Sequence, residues 1–488
     1  MSQSEKSSWS LSGGQLRKNF QHVIVIGAGA VGERVALSLV REEGLKQVTV
    51  IDEVEEKLSA LEERSGDLQC IRGHGADPSI LEHAQIEKAD LVLAVTNSDE
   101  VNLLASLSAR QSSKSARIFA RVRSPFYTAA YAQKMGIDEL LNPEELCVGR
   151  VAQMVRSKMI FDSYTDWSGQ LLMLGVRLPQ GSPLTQISLA DFGEKVTQKI
   201  CVAAWRSSAK GSLTVPSPHI PFPADSEVYL CLKQEEEEAT LRAVGCESPI
   251  PDGIVLHAEG ALLHLMLKTL INTTELSSRQ LTLTLLGFTR EESAYLEREY
   301  GGDFKELLCF HRIEDISLVE GSSTANLFKN KAFIGLSEDH EESLSLALLA
   351  REHGAEQSII LTRSPLYQRL ARQLGIDAAP NPQLLVSNIL LRHIGTGRSV
   401  SHQSLSTDET LELTELVVKA DHQFQFPISA FQGKGFPRDA VIGMILRDGR
   451  CIWVEGDTQL EHGDRLLVIA PTGIHEAIED FWRHFNDH

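Results

Sequence analysis

Six residues, Gly27-Ala28-Gly29-Ala30-Val31-Gly32, carry the G-x-G-x-x-G spacing of a loop that cradles a pyrophosphate. Gly27 permits a tight turn, Gly29 lets backbone N–H groups approach the phosphates, and Gly32 lets a helix pack closely on a strand. The anion then rests at a helix N-terminus, where unpaired N–H groups and the dipole favour negative charge. Asp52 stands twenty residues after Gly32, where a carboxylate takes a ribose hydroxyl pair. Its neighbour Glu53 offers no cation for a 2′-phosphate, which disfavours NADP. The chemistry these residues suit is adenine-nucleotide binding. The competing reading is a glycine turn in a doubly wound sheet that holds nothing.

The elements that must position them are legible around the motif. His22-Val23-Ile24-Val25-Ile26 is an apolar, mostly β-branched run of the kind that forms a buried parallel strand, and the spacing after Glu33 suits a helix. A second strand, Gln47 to Ile51, ends at Asp52, and a charged helix comes next with Leu58 and Leu61 turned inward. Gly73-His74-Gly75 is a turn. Ala89 to Val95 is another strand, ending in Thr96-Asn97-Ser98-Asp99-Glu100, where T-x-x-D has capping-box spacing. Ala116 to Val122 and a helix from Tyr127 to Met135 complete the unit. Alternation of this kind means a parallel doubly wound sheet, whose ligands bind at the carboxyl ends of the strands. Gly27–Gly32, Asp52, His74, Thr96 and Arg121 all fall at such ends. Each of the last three has a plainer role open to it: His74 as a turn residue, Thr96 as a helix cap, and Arg121, beside Arg117 and Arg123, on a solvated face.

Length and composition bound the rest. At 488 residues the chain exceeds one domain, and about 150 residues per domain implies three or four. Residues 1–20 are polar and read as a disordered lead without a signal peptide. The longest apolar run, Ala261 to Ile271, holds His264 and Lys268 and is too short for a membrane span. Seven scattered cysteines, never spaced C-x-x-C, indicate buried thiols in a reducing compartment. A net charge of −19 opposes binding to nucleic acid and to anionic lipid, so any membrane contact has to come through another protein.

The sequence also repeats. Arg123-Ser124-Pro125-Phe126-Tyr127 returns as Arg363-Ser364-Pro365-Leu366-Tyr367, and Asn142-Pro143 as Asn381-Pro382. Ser98 to Leu104 is answered by Glu338 to Leu344. A small strand-rich stretch with Leu171–Val176 and Glu227–Leu232 has a counterpart at about 411–472. The expected organisation is a tandem duplication of a Rossmann-like α/β domain and a small α+β module. The boundaries expected are 21–155 and 156–240, then 241–279 as a connector with an apolar helix, 280–395, and 405–488.

With the glycine loop, the G-H-G turn, T-x-S-D-E-x-N, A-R-x-R-S-P and a module ending in G-D-x-L, the chain resembles the RCK-type regulatory proteins. Its doubled arrangement is similar to the TrkA-type peripheral subunits of bacterial Trk potassium uptake systems, over about residues 21–483. The resemblance implies a homo-oligomeric ring on the cytoplasmic face of a Trk-type transmembrane potassium translocator, shaped by NAD(H) or ATP/ADP. It places Gly27-Ala28-Gly29-Ala30-Val31 on the phosphates and Asp52 on the ribose. Thr96 and Asn97 would line the nucleotide, and Arg121 would reach phosphate or a neighbouring subunit.

A nicotinamide-dependent oxidoreductase would use the same loop. It also needs a catalytic domain with a proton-transfer group, and the small modules of some 70 residues suit assembly better. No nucleophile elbow, metal-ligand pair or Walker sequence is present, so neither catalytic residues nor metal ligands are expected. In the second large domain, Gly287-Phe288-Thr289-Arg290-Glu291-Glu292 is read in the place of the glycine loop, and a second strand ending at His311 lacks the acid. A degenerate domain that binds no nucleotide is the expectation.

Overall fold

The structure is a computed structural model. It describes residues 20–40, 45–124, 126–165, 171–195, 199–207, 211, 213–247, 251–272, 282–287, 290–304, 308–311, 325–394, 402–404, 411–418, 426–429, 431, 435–448 and 450–486. The expected disordered lead and the side chains of Phe288 and Thr289 lie outside these residues. The chain divides into two compact units, one comprising chiefly residues 1–144 and the other chiefly residues 145–382 and 418–488.

The first unit is built on a sheet of order β3-β2-β1-β4-β5-β6. Its strands are β1 (His22–Ile26), β2 (Gln47–Asp52), β3 (Leu68–Arg72), β4 (Leu91–Ala94), β5 (Arg117–Arg121) and β6 (Glu139–Leu141). All pairings are parallel, with Val23 of β1 opposite both Val48 and Leu91. β1 is buried along its whole length, because helices cover both faces of such a sheet. The crossovers include α1 (Ala30–Leu39), α2 (Glu55–Arg64), α3 (Pro78–His83) and α4 (Asp99–Ser112). Ile24, Ile26, Ile51, Leu81, Val92 and Ile118 pack into one core cluster.

The second unit contains the repeat of this sheet, in order β13-β12-β11-β14-β15. Here β11 is Gly253–Ala258, β12 Thr282–Leu286, β13 Leu308–His311, β14 Ala332–Leu336 and β15 Gln357–Ile360. This corrects two expectations. The stretch read as a connector supplies the central strand and the first helix, Gly260–Asn272, so the repeat begins near Gly253 and not at 280. Ile254 pairs with Leu283 and Ala332 as Val23 pairs with Val48 and Leu91. That register sets Ala258-Glu259-Gly260-Ala261-Leu262-Leu263 opposite the glycine loop, with Gly260 at the position of Gly29. Gly287 takes the place of Asp52. Glu291 and Glu292 belong to the helix Arg290–Phe304 after the second strand, and Leu308–His311 is the third strand. The apolar run ending in Gly287 imitated a first strand, whereas β11 carries His257 and is followed by Gly260 alone of the three loop glycines. Helix caps shift one repeat match by a residue: Ser98 caps α4, and Asp339, not Glu338, caps the helix His340–Glu352.

Within the second unit, β7 (Ile160–Thr165), β8 (Leu171–Arg177), β9 (Cys201–Arg206) and β10 (Glu227–Lys233) form an antiparallel sheet, β7-β8-β10-β9. Val441–Arg447 pairs antiparallel with Arg450–Trp453 and with Arg465–Pro471 in the second small module. The two modules share one core, with Phe161, Met173 and Tyr229 packed in a cluster with Leu413, Met444 and Leu467.

Candidate nucleotide site

The turn from β1 into α1 is clamped on both sides. Gly27 N–H donates to Ile51 O at 2.7 Å, and its φ of +108° is one that only glycine adopts without strain. A Cβ on Gly27 would stand 2.9 Å from Thr96 N, so β4 closes the other side. Gly32 is equally constrained, since a Cβ there would lie 1.8 Å from Gly27 O. Gly29 is the opposite case. It is the N-cap of α1, makes no side-chain cap bond, and has nothing within 4 Å of where its Cβ would be. The first turn of α1 therefore opens onto free space at its positive end, as an anion requires. Glu33 in that turn is ion-paired with Arg64, which offsets its charge.

Asp52 lies beside this opening. Its Oδ2 accepts from Ala28 N–H at 2.7 Å and its Oδ1 from Val54 N–H at 2.9 Å, with Lys57 Nζ 3.7 Å away. The carboxylate thus ties the glycine loop to the end of β2. Ala30 begins α1, and Val31 points into the core.

The ends of β4 and β5 are joined by the asparagine that closes T-x-S-D-E-x-N, a residue to which motif reading gave no role. Asn102 of α4 is fully buried; its Oδ1 accepts from Thr96 N–H at 2.8 Å and Thr96 Oγ1 at 2.7 Å. Its Nδ2 donates to Thr96 O at 3.1 Å and Arg121 O at 2.9 Å. Thr96 is therefore not the helix cap; its hydroxyl shapes the turn, and Ser98 accepts from Val101 N–H. Asp99 accepts from Arg123 N–H and Ser124 N–H, both at 2.9 Å, and so anchors the next loop. The available signal for Asn102 was a polar residue at core spacing in a helix, one turn before the buried Ser106.

Arg121 is 3% exposed, so the plainer alternative of a solvated face does not hold. Its Nη1 donates to Asn97 Oδ1 at 3.3 Å. His74 is set apart. It is exposed, and among the described residues its side chain's one hydrogen bond is accepted from Ala76 N–H at 3.3 Å, inside its own turn. The fold thus gathers Gly27–Gly32, Asp52, Thr96, Asn97 and Arg121 around the switch between β1 and β4 and leaves His74 at the rim. Two cysteines are poor nucleophiles here: burial pushes the Cys70 thiol up to about 11, with Glu62 adding to it, and Cys246 up to about 12.

Residues 23–143 match the TrkA-N domain family. The Trk system potassium uptake protein TrkA homolog of Archaeoglobus fulgidus is 26% identical over 94% of this chain and 100% of its own length. The Trk system potassium uptake protein TrkA of Halomonas elongata is 24% identical over 92% of this chain and 95% of its own. Among solved structures, the GsuK RCK domain superposes with a TM-score of 0.55 at 15% identity, covering 95% of each chain. The GsuK channel bound to NAD has the same score and identity over 95% of this chain and 79% of that one.

Proposed function

This chain is a TrkA-type RCK protein, and from that premise we propose that it is a nucleotide-sensing regulatory subunit of a potassium uptake system. The observation that carries the reading is the open space over Gly29 at the head of α1, with Asp52 held beside it. NAD(H) or ATP/ADP binds there, its phosphates over the loop Gly27-Ala28-Gly29-Ala30-Val31 at the head of α1 and its ribose on Asp52. Asn97 and Arg121 border the outer phosphate, and Thr96 contributes backbone and shape. The NAD in the GsuK channel and the names of the TrkA relatives support this.

The ligand acts by differential affinity. It shifts the strand-end turns between two arrangements only as far as it binds one better than the other. The paired domains pass that shift to a Trk-type transmembrane translocator on which several copies assemble as a ring. The protein itself catalyses nothing, and reaches the membrane through its partner rather than through lipid; no helix among the described residues is long and apolar enough to cross one.

Calorimetric titration of the full chain with ATP, ADP, NAD and NADH tests this. One adenine nucleotide per chain is expected, because the second domain keeps only Gly260 of the loop and has Gly287 for the ribose acid. Gly29→Glu abolishes that binding. Two nucleotides per chain, or tight binding in Gly29→Glu, would overturn the assignment, and steady hydride transfer to a small substrate would replace it with an oxidoreductase. Co-expressed with a translocator, the chain sediments with membranes; tight binding to bare anionic liposomes would contradict the partner-borne contact.

A further inference from the structure

We propose that His257, Glu259 and Glu342 form a binding site for a divalent transition-metal cation at the strand ends of the second large domain. A ring nitrogen of His257 and one carboxylate oxygen from each glutamate all lie within 4.8 Å of one another. The strand pairings put His257 at the position of Ile26, Glu259 at that of Ala28, and Glu342 at that of Val101. Three positions that are apolar in the first repeat are thus all ligand types in the second. Glu259 stands at the loop position that Ala28 holds in the first repeat, so an opening that suits an anion there carries a carboxylate here and suits a cation.

The imidazole is the independent sign of a ligand. His257 is 6% exposed, and its Nδ1 is buried with no hydrogen-bond partner among the described residues. Its Nε2 is 3.8 Å from Glu342 Oε1, beyond hydrogen-bond range. A buried polar group left so is costly unless something satisfies it. Neither carboxylate has a lysine or arginine partner among the described residues. A cation would settle all three groups, and metal–ligand bonds of about 2.0–2.2 Å need the donors to close in by only a few tenths of an ångström to an ångström.

The surroundings suit a site of this class. Ser337 Oγ donates to Glu259 Oε1 at 3.2 Å and accepts from Asp339 N–H at 3.1 Å, orienting the carboxylate from behind. Gly287 leaves the space beside the ring clear, since a Cβ there would lie 3.4 Å from His257 Cδ2. One imidazole and two carboxylates favour zinc or cobalt over magnesium and calcium, which take oxygen ligands alone. Local spacing hides the cluster, because Glu342 is 83 residues from Glu259 in the chain.

The test is equilibrium dialysis of the EDTA-stripped full chain against zinc, with cobalt absorption as the second readout. One zinc per chain is expected, with magnesium and calcium bound far more weakly. His257→Gln and Glu342→Gln should lose more than about 100-fold in zinc affinity, beyond what outer-shell losses cause, and Ser337→Ala about tenfold. The cobalt spectrum should show d–d bands without thiolate charge transfer, and nucleotide affinity should stay unchanged as proof of folding. Should His257→Gln not fold, the exposed Glu259→Gln carries the same expectation. Unchanged zinc affinity in these variants, thiolate bands, no stoichiometric zinc, or calcium bound more tightly than zinc would overturn the site, whatever the first domain binds.

Discussion

Gly29 and Gly32 stand three residues apart under opposite constraints. A methyl group at Gly29 meets nothing in the protein, and one at Gly32 lies 1.8 Å from Gly27 O. Gly29→Ala should therefore change folding stability by about 1 kcal/mol or less, yet weaken nucleotide binding by crowding the phosphates. Gly32→Ala forces α1 away from β1 and should cost about 3 kcal/mol or more. Urea unfolding beside calorimetry separates the two, and equal stability of both variants would show that the turn is not packed as described. Asp52→Ala should lose on the order of 2–3 kcal/mol of nucleotide affinity, a charge-assisted pair to the ribose, roughly 30- to 150-fold. Because Asp52 also holds Ala28 N–H, Asp52→Asn should recover only part of that. Unchanged affinity in Asp52→Ala removes the residue from the site.

Elements meet at polar groups as well as apolar ones, and β1 begins with such a group. His22 is 5% exposed, with Nε2 3.2 Å from Thr49 Oγ1 on β2. Burial, helped by Lys88 and opposed by Asp90, holds its pKa below the ordinary 6.5. The unfolded chain then binds the proton more readily than the native one. The stability from His22 is present above about pH 6.5 and lost as pH falls towards the lower folded value. His22→Gln, which keeps an amide near Thr49, should flatten the fall in melting temperature between pH 7 and 5. An identical slope in wild type and variant would count against it. Asn102 performs the equivalent task between β4 and β5. Asn102→Leu strands Thr96 N–H and the carbonyls of Thr96 and Arg121, and should cost about 3 kcal/mol.

The two small modules depend on each other within the second unit. Phe161, Met173 and Tyr229 are buried in a core shared with Leu413, Met444 and Leu467, and a Cβ at Gly443 would lie 3.4 Å from Cys231 Sγ. A fragment of residues 1–247 would keep the first module and expose its inner face. Such contiguous apolar surface drives association. Sedimentation should find the fragment self-associated, with association reduced by Met173→Asp. A monodisperse monomeric fragment would mean that each module is self-sufficient. Duplication thus gives the chain an internal pair whose modules cover each other.

Local pattern was enough wherever neighbours in sequence are neighbours in space. The glycine loop, the buried run of β1, the acid ending β2 and the returning R-S-P segments are short-range features, and they specified a doubled Rossmann-like chain whose first domain carries the glycine loop. The questions that pattern left undecided were settled by strand pairing. Leu283 to Gly287 looks like a first strand with its glycine, but its register beside β11 makes it a second strand, and only the sheet order decides that. Burial of Arg121, the four-way clasp of Asn102 and the meeting of His257 with Glu342 are all contacts across the fold. Side-chain type alone does not encode such meetings, because which strand ends lie side by side depends on the packing of the whole sheet.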